Sequence, residues 1–226
     1  MQAVYQRFRQ WRDNGTFEQI LRHLYLRLRE DGLIDLDTWM VDSTSIRASR
    51  AASGAGKKRG PQEPQHHCPG RSRAGLTTKI HLACDSHCFP LAIMLSPSEQ
   101  ADSRHFMPLL DQISHPGCRA RPRKRCCYVL ADKGYDSQFI RQYCDRYGMQ
   151  SLIPLRKMHR KPRPGLPRLF DRPQYKKSNV IERVFSWLKE KRRICTRYDK
   201  LAISFKAMVT LACIERCLRA DFSDKP

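Results

Sequence analysis

Apolar residues recur along this chain at two different spacings, and the changes of spacing predict its elements. In residues 3–30, Tyr5, Phe8 and Trp11 form one helical stripe; Phe17, Ile20, Leu21, Leu24 and Leu28 form a second. Arg7, Arg9, Arg12, Arg22 and Arg27 fill the positions between. Asn14-Gly15 interrupts the pattern, with Thr16 as a possible N-cap, and Asp31-Gly32 ends it. Residues 38–47 read as a strand. Met40, Asp42, Thr44 and Ile46 fall on one face, and Val41, Ser43 and Ser45 on the other. Residues 48–75 are Gly, Pro, Lys, Arg and His with little to bury, which predicts a flexible basic loop. Residues 76–85 and 89–95 flank Asp85-Ser86-His87 as a hairpin.

Asp102 or Ser103 then caps a helix running to about Ile113, followed by a basic loop over 114–125. Residues 126–131 are a continuous apolar run, as expected of a strand buried on both faces. A helix over 137–147, stopped by Gly148, precedes a short strand at 150–154. Residues 156–177 are Pro-rich and basic. Amphipathic helices follow over 179–194 and 202–220. This order predicts an α/β fold: a mixed sheet with helices on its faces and a short helical segment in front.

The charge sharpens the picture. With 43 Lys+Arg against 22 Asp+Glu, the formal net charge is +21, and a polyanion is the expected partner. Nucleic acid is the first choice, with RNA or an anionic membrane surface as alternatives. No apolar stretch approaches the roughly 18 residues needed to span a bilayer, and no signal-peptide core precedes the first helix. A cytoplasmic protein without a membrane partner is expected. The ten cysteines do not suggest zinc or disulfides. Cys84/Cys88, Cys126/Cys127 and His66-His67-Cys68 lack the paired spacing of zinc sites. Cys144, Cys195, Cys213 and Cys217 sit at apolar helical positions as small hydrophobes.

Against so basic a background, three acids stand out. Asp42 closes the apolar run Trp39-Met40-Val41, where an unpaired buried charge would be costly. Asp132 ends Tyr128-Val129-Leu130-Ala131, and ligands of α/β sheets collect at strand carboxyl ends. Glu182 opens the 179–194 helix. Asn179-x-x-Glu182 fits a capping box. Glu182 also shares a helix face with Ser186, Lys189 and Arg193, opposite Ile181, Val184, Phe185 and Leu188. Such acids could hold divalent metal against phosphate. Asp85, Asp102 and Asp136 read as turn or cap residues, and Glu190, Asp199 and Asp221 as surface charges. From Arg156 to Lys200, sixteen Lys/Arg face four acids, with Tyr175, Trp187 and Tyr198 among them. That mixture suits phosphates and unpaired bases.

The segments Val41-Asp42-Ser43-Thr44, Gly75-Leu76-Thr77-Thr78-Lys79-Ile80-His81, Ala131-Asp132-Lys133-Gly134-Tyr135-Asp136-Ser137 and Asn179-Val180-Ile181-Glu182-Arg183 resemble those of DDE-type bacterial insertion-sequence transposases. Their insertion-sequence-five family is the nearest in pattern, and the resemblance runs from about Val4 to the last helix. It implies an RNase H-like fold over residues 38–226, behind a helical segment, 1–37, that is part of a DNA-binding region. It also implies that Asp42, Asp132 and Glu182 hold two Mg²⁺ ions, with Mn²⁺ as a substitute. The implied chemistry is endonucleolytic cleavage at transposon ends and strand transfer into target DNA. The implied partners are terminal inverted repeats, target DNA and a second copy in a homodimer, working at the nucleoid. Lys79, Tyr175, Lys176, Lys177, Arg183, Lys189 and Arg193 would bind DNA phosphates, and His81 shares the Lys79 strand.

Two departures qualify the resemblance. In the family pattern Tyr-x2-Arg-x3-Glu-x6-Lys, Tyr175, Glu182 and Lys189 match, but Ser178 holds the Arg position. Relatives also carry more helical sequence before the Tyr-x-x-Phe-x-x-Trp segment, which implies a downstream reading frame or an N-terminally truncated form. A catalytically impaired DNA-binding remnant and a metal-dependent nuclease of the same fold are the alternatives.

Overall fold

The computed structural model describes residues 2–53, 68–72, 75–113, 126–156 and 170–221. The basic loop expected at 114–125 lies outside these residues. So do 54–67 (with His66 and His67), 73–74, and 157–169 of the Pro-rich stretch.

Helices α1 (Gln2–Asp13) and α2 (Thr16–Glu30) form where the two stripes predict them. Their junction is built differently from expectation. Gly15 holds the cap position at φ 76°, and the Asn14 carboxamide oxygen accepts from the Thr16 amide at 3.1 Å. Asn14, not Thr16, therefore supplies the local capping bond, because a left-handed turn favours glycine at the cap itself. Strand β1 (Thr38–Ala48) follows, then a four-residue helix α3 (Arg50–Ser53) and strand β2 (Gly70–Ser72). These last two correct part of the loop expected over 48–75: β2 pairs with the start of β3.

Strands β3 (Gly75–Asp85) and β4 (Pro90–Pro97) make the expected hairpin. The helix expected from Asp102 to about Ile113 is shorter. A 3-10 turn, Asp102–His105, leads into α4 (Phe106–Leu110), and Ala101 at the cap makes no side-chain bond. The Asp102 carboxylate is taken instead by the Lys79 ammonium at 2.8 Å. Strand β5 (Tyr128–Ala131), α5 (Gln138–Arg146) and β6 (Gln150–Leu152) come next. Ser137 caps α5 by accepting from the Ile140 amide, and Gly148 at φ 68° ends the segment. Helix α6 (Arg172–Tyr175) and a 3-10 turn, Lys176–Ser178, run into α7 (Asn179–Glu190). Short α8 (Arg192–Cys195), β7 (Thr196–Arg197) and the long α9 (Ala202–Asp221) complete the chain.

Strand β1 lies in the middle of the sheet. It runs antiparallel to β3 and parallel to β5, and β5 is parallel to β6; β2 and β4 both pair with β3. Trp39, Met40 and Val41 are buried because this strand is covered on both faces. Asp42 pairs with Leu82, and Leu82 with Ile93, so these three share one side of the pleat. Ile93 lines a groove with α2 and α9, which identifies the helices covering that side. Ser43 and Ser45 pair with His81 and Lys79 on the opposite side, where His81 stacks on His105 just before α4. The result is an α/β fold, a mixed sheet between two helical layers. No helix among the described residues is long and apolar enough to cross a membrane.

Candidate active site

The parallel pairing of β1 and β5 sets the site. Its register runs Trp39 to Val129, Met40 to Leu130 and Val41 to Ala131. The next residues along are Asp42, still inside β1, and Asp132, the first past β5, whose charge acts on Asp42. The apolar runs that precede them dock two strands in the core; β5 ends before Asp132, whereas β1 continues past Asp42 to Ala48.

Each aspartate is oriented by a neighbouring amide. The half-buried Asp42 accepts from the Ser43 N–H at 2.8 Å through Oδ1, and Asp132 Oδ1 accepts from the Gly134 N–H at 2.8 Å. A Cβ on residue 134 would stand 2.8 Å from that same Oδ1, so the close approach needs glycine. Burial pushes the Asp42 carboxyl up to about 6. The Ser43 amide pulls it back, and the charges of Asp132, Asp102 and Glu182 raise it further.

Glu182 arrives on α7, which packs on β1 through Val180, Ile181, Val184, Phe185 and Leu188. Burying each such side chain is worth roughly 1.5–3 kcal/mol, enough to hold the helix in place. Trp187 adds to this. Its ring lies between the Lys191 ammonium at 5.4 Å and the Arg216 guanidinium at 5.3 Å, and Arg216 donates to the Cys88 carbonyl. The capping box expected of Asn179 and Glu182 does not form. The chain enters α7 already turning, Ser178 makes no side-chain cap bond, and Asn179 is itself helical. Glu182 is thereby left exposed beside the aspartates.

The basic residues divide into two groups. Arg183 and Lys189 lie exposed on α7, and Lys176 and Lys177 on the turn before it. Tyr175 packs on Phe170 with ring centroids 5.1 Å apart. Its phenol is raised by burial and then by Asp132, Asp42 and Glu182, so it borders the acids. Arg193 is not on the Glu182 helix face as expected. Lys191 is extended at ψ 110°, which breaks the helix after Glu190, and Arg193 pairs with Asp199 at 2.8 Å. Lys79 does not join the acids either. Its strand is the neighbour of β1, but its side chain belongs to the other pleat, bound to Asp102 and the Gln100 carbonyl. His81 is buried there, its Nε2 2.7 Å from the Ser96 hydroxyl, and burial lowers its pKa to about 4, with His105 and Lys79 helping and Asp102 opposing.

Three residues escaped the sequence reading. Asp102 is within electrostatic range of Asp42 rather than a helix cap. Asp136, also read as a cap or first helical residue, is buried and accepts both Nε and Nη2 of Arg141 and the Arg156 amide; Arg141 also donates to the Ile153 carbonyl. Tyr135 is buried too. The run Asp132-Lys133-Gly134-Tyr135-Asp136 was the available signal, but nothing in it says which carboxylate turns inward.

The donor set suits a hard divalent cation: carboxylate oxygens whose crowding a positive charge would relieve. The acids are not drawn into a ready cage, however. Among the described residues, no group of three or more His, Cys, Asp or Glu is close enough to hold a metal.

Fold and site together define an α/β protein with a mixed sheet, one aspartate inside its central strand and another just past the end of the parallel neighbour. More particularly, residues 37–214 match the family described as the transposase DDE domain, and the chain belongs to that family. It is 30% identical over 148 residues to a Burkholderia cepacia protein named as a transposase for insertion sequence element IS402, covering 65% of this chain and 64% of that one. It is 28% identical over 144 residues to a Brucella ovis protein named similarly for element IS6501, covering 64% of this chain and 100% of that one. A solved pre-cleavage Mos1 transpososome aligns at 14% identity and a TM-score of 0.34, covering 95% of this chain and 63% of that one. A Mos1 mariner paired-end complex with Mn aligns at 15% and 0.33, with the same coverages. The chain thus spans less than two thirds of the Burkholderia relative and of these solved chains.

Proposed function

We propose that this chain carries the catalytic domain, residues 38–226, of a DNA transposase of insertion-sequence-five type, with Asp42, Asp132 and Glu182 as its acids. Residues 1–37 would be part of a DNA-binding region. The observation that carries the reading is Asp42, inside the central strand β1, next along from the register that pairs β1 with β5, with Asp132 just past the end of β5, in a family of transposase domains. Each aspartate uses one oxygen on a main-chain amide and keeps the other for a ligand. Asp42, Asp132 and Glu182 would hold two divalent cations. Bound Mg²⁺, or Mn²⁺ in its place, would supply Lewis-acid polarisation of the phosphate and neutralise the charge developing on its oxygens.

The chain's own residues then orient DNA. Arg183, Lys189, Lys176 and Lys177 would bind phosphates flanking the scissile bond, and Tyr175 would close the site beside the acids. Cleavage is attack of water on an end phosphate with the 3′-oxygen leaving. In strand transfer that 3′-hydroxyl attacks a target phosphate and displaces its 3′-oxygen. The substrates would be the terminal inverted repeats and target DNA, bound by a homodimer at the nucleoid.

The test uses the whole chain, labelled duplex ends and Mg²⁺. Cleaved ends and joined products are expected, and Asp132→Asn or Glu182→Gln should abolish both while DNA binding persists. Nicking without joined products would make the protein a nuclease. Binding without nicking would make it a remnant. Full activity in either variant would remove that residue from the site.

A further inference from the structure

Two large apolar side chains stand in solvent at the edge of the sheet where Asp132 lies. Phe139, in the first turn of α5, is 64% exposed, and Leu155, just past the end of β6, is 70% exposed. Ile140, Leu152 and Ile153 beside them are buried, so the core closes without either. Backbone pairing places both. Strands β5 and β6 are parallel, with Tyr128 to Gln150, Val129 to Ser151 and Leu130 to Leu152 in register. The chain therefore leaves β6 toward Leu155 at the same edge where β5 gives way to Asp132. Buried Asp136 ties the two segments together. Its Oδ1 accepts from the Arg141 guanidinium of α5 at 3.0 Å, and its Oδ2 accepts from the Arg156 amide at 2.8 Å. One carboxylate thus fixes the helix that carries Phe139 against the segment that carries Leu155. The exposed charges that follow Asp132 and Leu155 directly, Lys133 and Arg156, are both cationic.

We propose that Phe139, flanked by Leu155, is a stacking platform for an unpaired nucleobase of bound DNA, with Lys133 and Arg156 taking phosphates beside it. The inference rests on the DNA-binding reading above and needs no metal ion. An exposed ring on a rigid mount offers a flat apolar face, and cations next to it hold the strand; together they bind single-stranded nucleic acid with little regard to sequence. A base inside a duplex has both faces covered by its neighbours and cannot use the ring. The platform therefore selects DNA whose strands are open at this edge of the sheet. An apolar protein surface would meet the same two cations on a chain of net charge +21, which favours a polyanion as the occupant.

The test is equilibrium binding by the full chain, in chelator, of a blunt duplex and of the same duplex with a short unpaired overhang carrying a fluorescent adenine analogue. The parent should bind the open duplex about tenfold more tightly than the blunt one, with the analogue's emission quenched as it stacks. Phe139→Ala should erase the preference and the quenching while blunt-duplex affinity and unfolding temperature stay the same. Phe139→Trp should keep both, and Leu155→Ser should weaken the preference. A preference that survives in Phe139→Ala would overturn the platform. So would an equal loss on blunt and open DNA, because the ring would then serve the fold or the surface as a whole. A parent that binds both duplexes equally would overturn this inference and leave the DNA-binding reading standing, whereas a parent that binds neither would overturn both. A dimeric parent whose Phe139→Ala variant sediments as a monomer would make the patch a protein interface and overturn the platform.

Discussion

Asp42 offers a prediction whose size and sign both come from its surroundings. Its carboxyl is raised from 3.8 to about 6, first by burial and then by neighbouring acids. At about 1.36 kcal/mol per unit, that shift corresponds to roughly 3 kcal/mol at most. Asp42 is half-buried, so water screens part of it, and about 1–2 kcal/mol is the expected effect. The folded pKa lies above the unfolded one. Stability is therefore intact below about pH 4, where both states are protonated, and is lost as pH rises through about 6. Asp42→Asn keeps an acceptor for the Ser43 amide and removes the charge. In urea unfolding with chelator, the variant should match the parent near pH 3.5 and exceed it by about 1–2 kcal/mol at pH 8. Asp85, also raised to about 6, first by burial, is common to both proteins and cancels in the difference. A variant less stable at pH 8, or one gaining equally at both pH values, would refute the claim that the acids strain the metal-free site.

Gly134→Ala should barely change unfolding but should weaken Mg²⁺-dependent cleavage at least tenfold, because its Cβ displaces the Asp132 carboxylate; unchanged cleavage would show that this oxygen need not be held. Arg141→Met should cost about 3–5 kcal/mol in chemical denaturation by leaving Asp136 buried and half-satisfied, whereas a loss near zero would mean water replaces the guanidinium. Ser178→Arg should alter stability by less than about 0.5 kcal/mol, since Ser178 makes no cap bond, and should raise DNA-end affinity by supplying a forked phosphate donor. Unchanged affinity on a gel-shift titration would leave that contact to Lys176 or Lys177. Duplex binding should weaken steeply with salt, log K falling by about 0.9 per neutralised phosphate; a flat response would exclude a phosphate-binding surface.

Much of this protein is determined by local sequence. Two helical stripes, a continuous apolar strand, a hairpin turn and an amphipathic helix each carry their own periodicity, so the order of elements and the α/β class can be read without coordinates. Asp42 and Asp132 were legible for the same reason: each interrupts an apolar run where that run ends. Side-chain partnership is not a local property, and only the tertiary structure decided it. Lys79 and Asp42 are on paired strands, yet pleat alternation sends them to opposite layers, and Asp102 takes the ammonium. Asn179-x-x-Glu182 spells a capping box, but the chain enters already helical, so no free helix end exists to cap. Asp132 and Asp136 stand four residues apart in one turn. One faces outward on the Gly134 amide, while the other turns inward to an arginine that long-range packing delivers. A carboxylate's role follows from which donors reach it in three dimensions, and that is settled by how the layers close over the sheet.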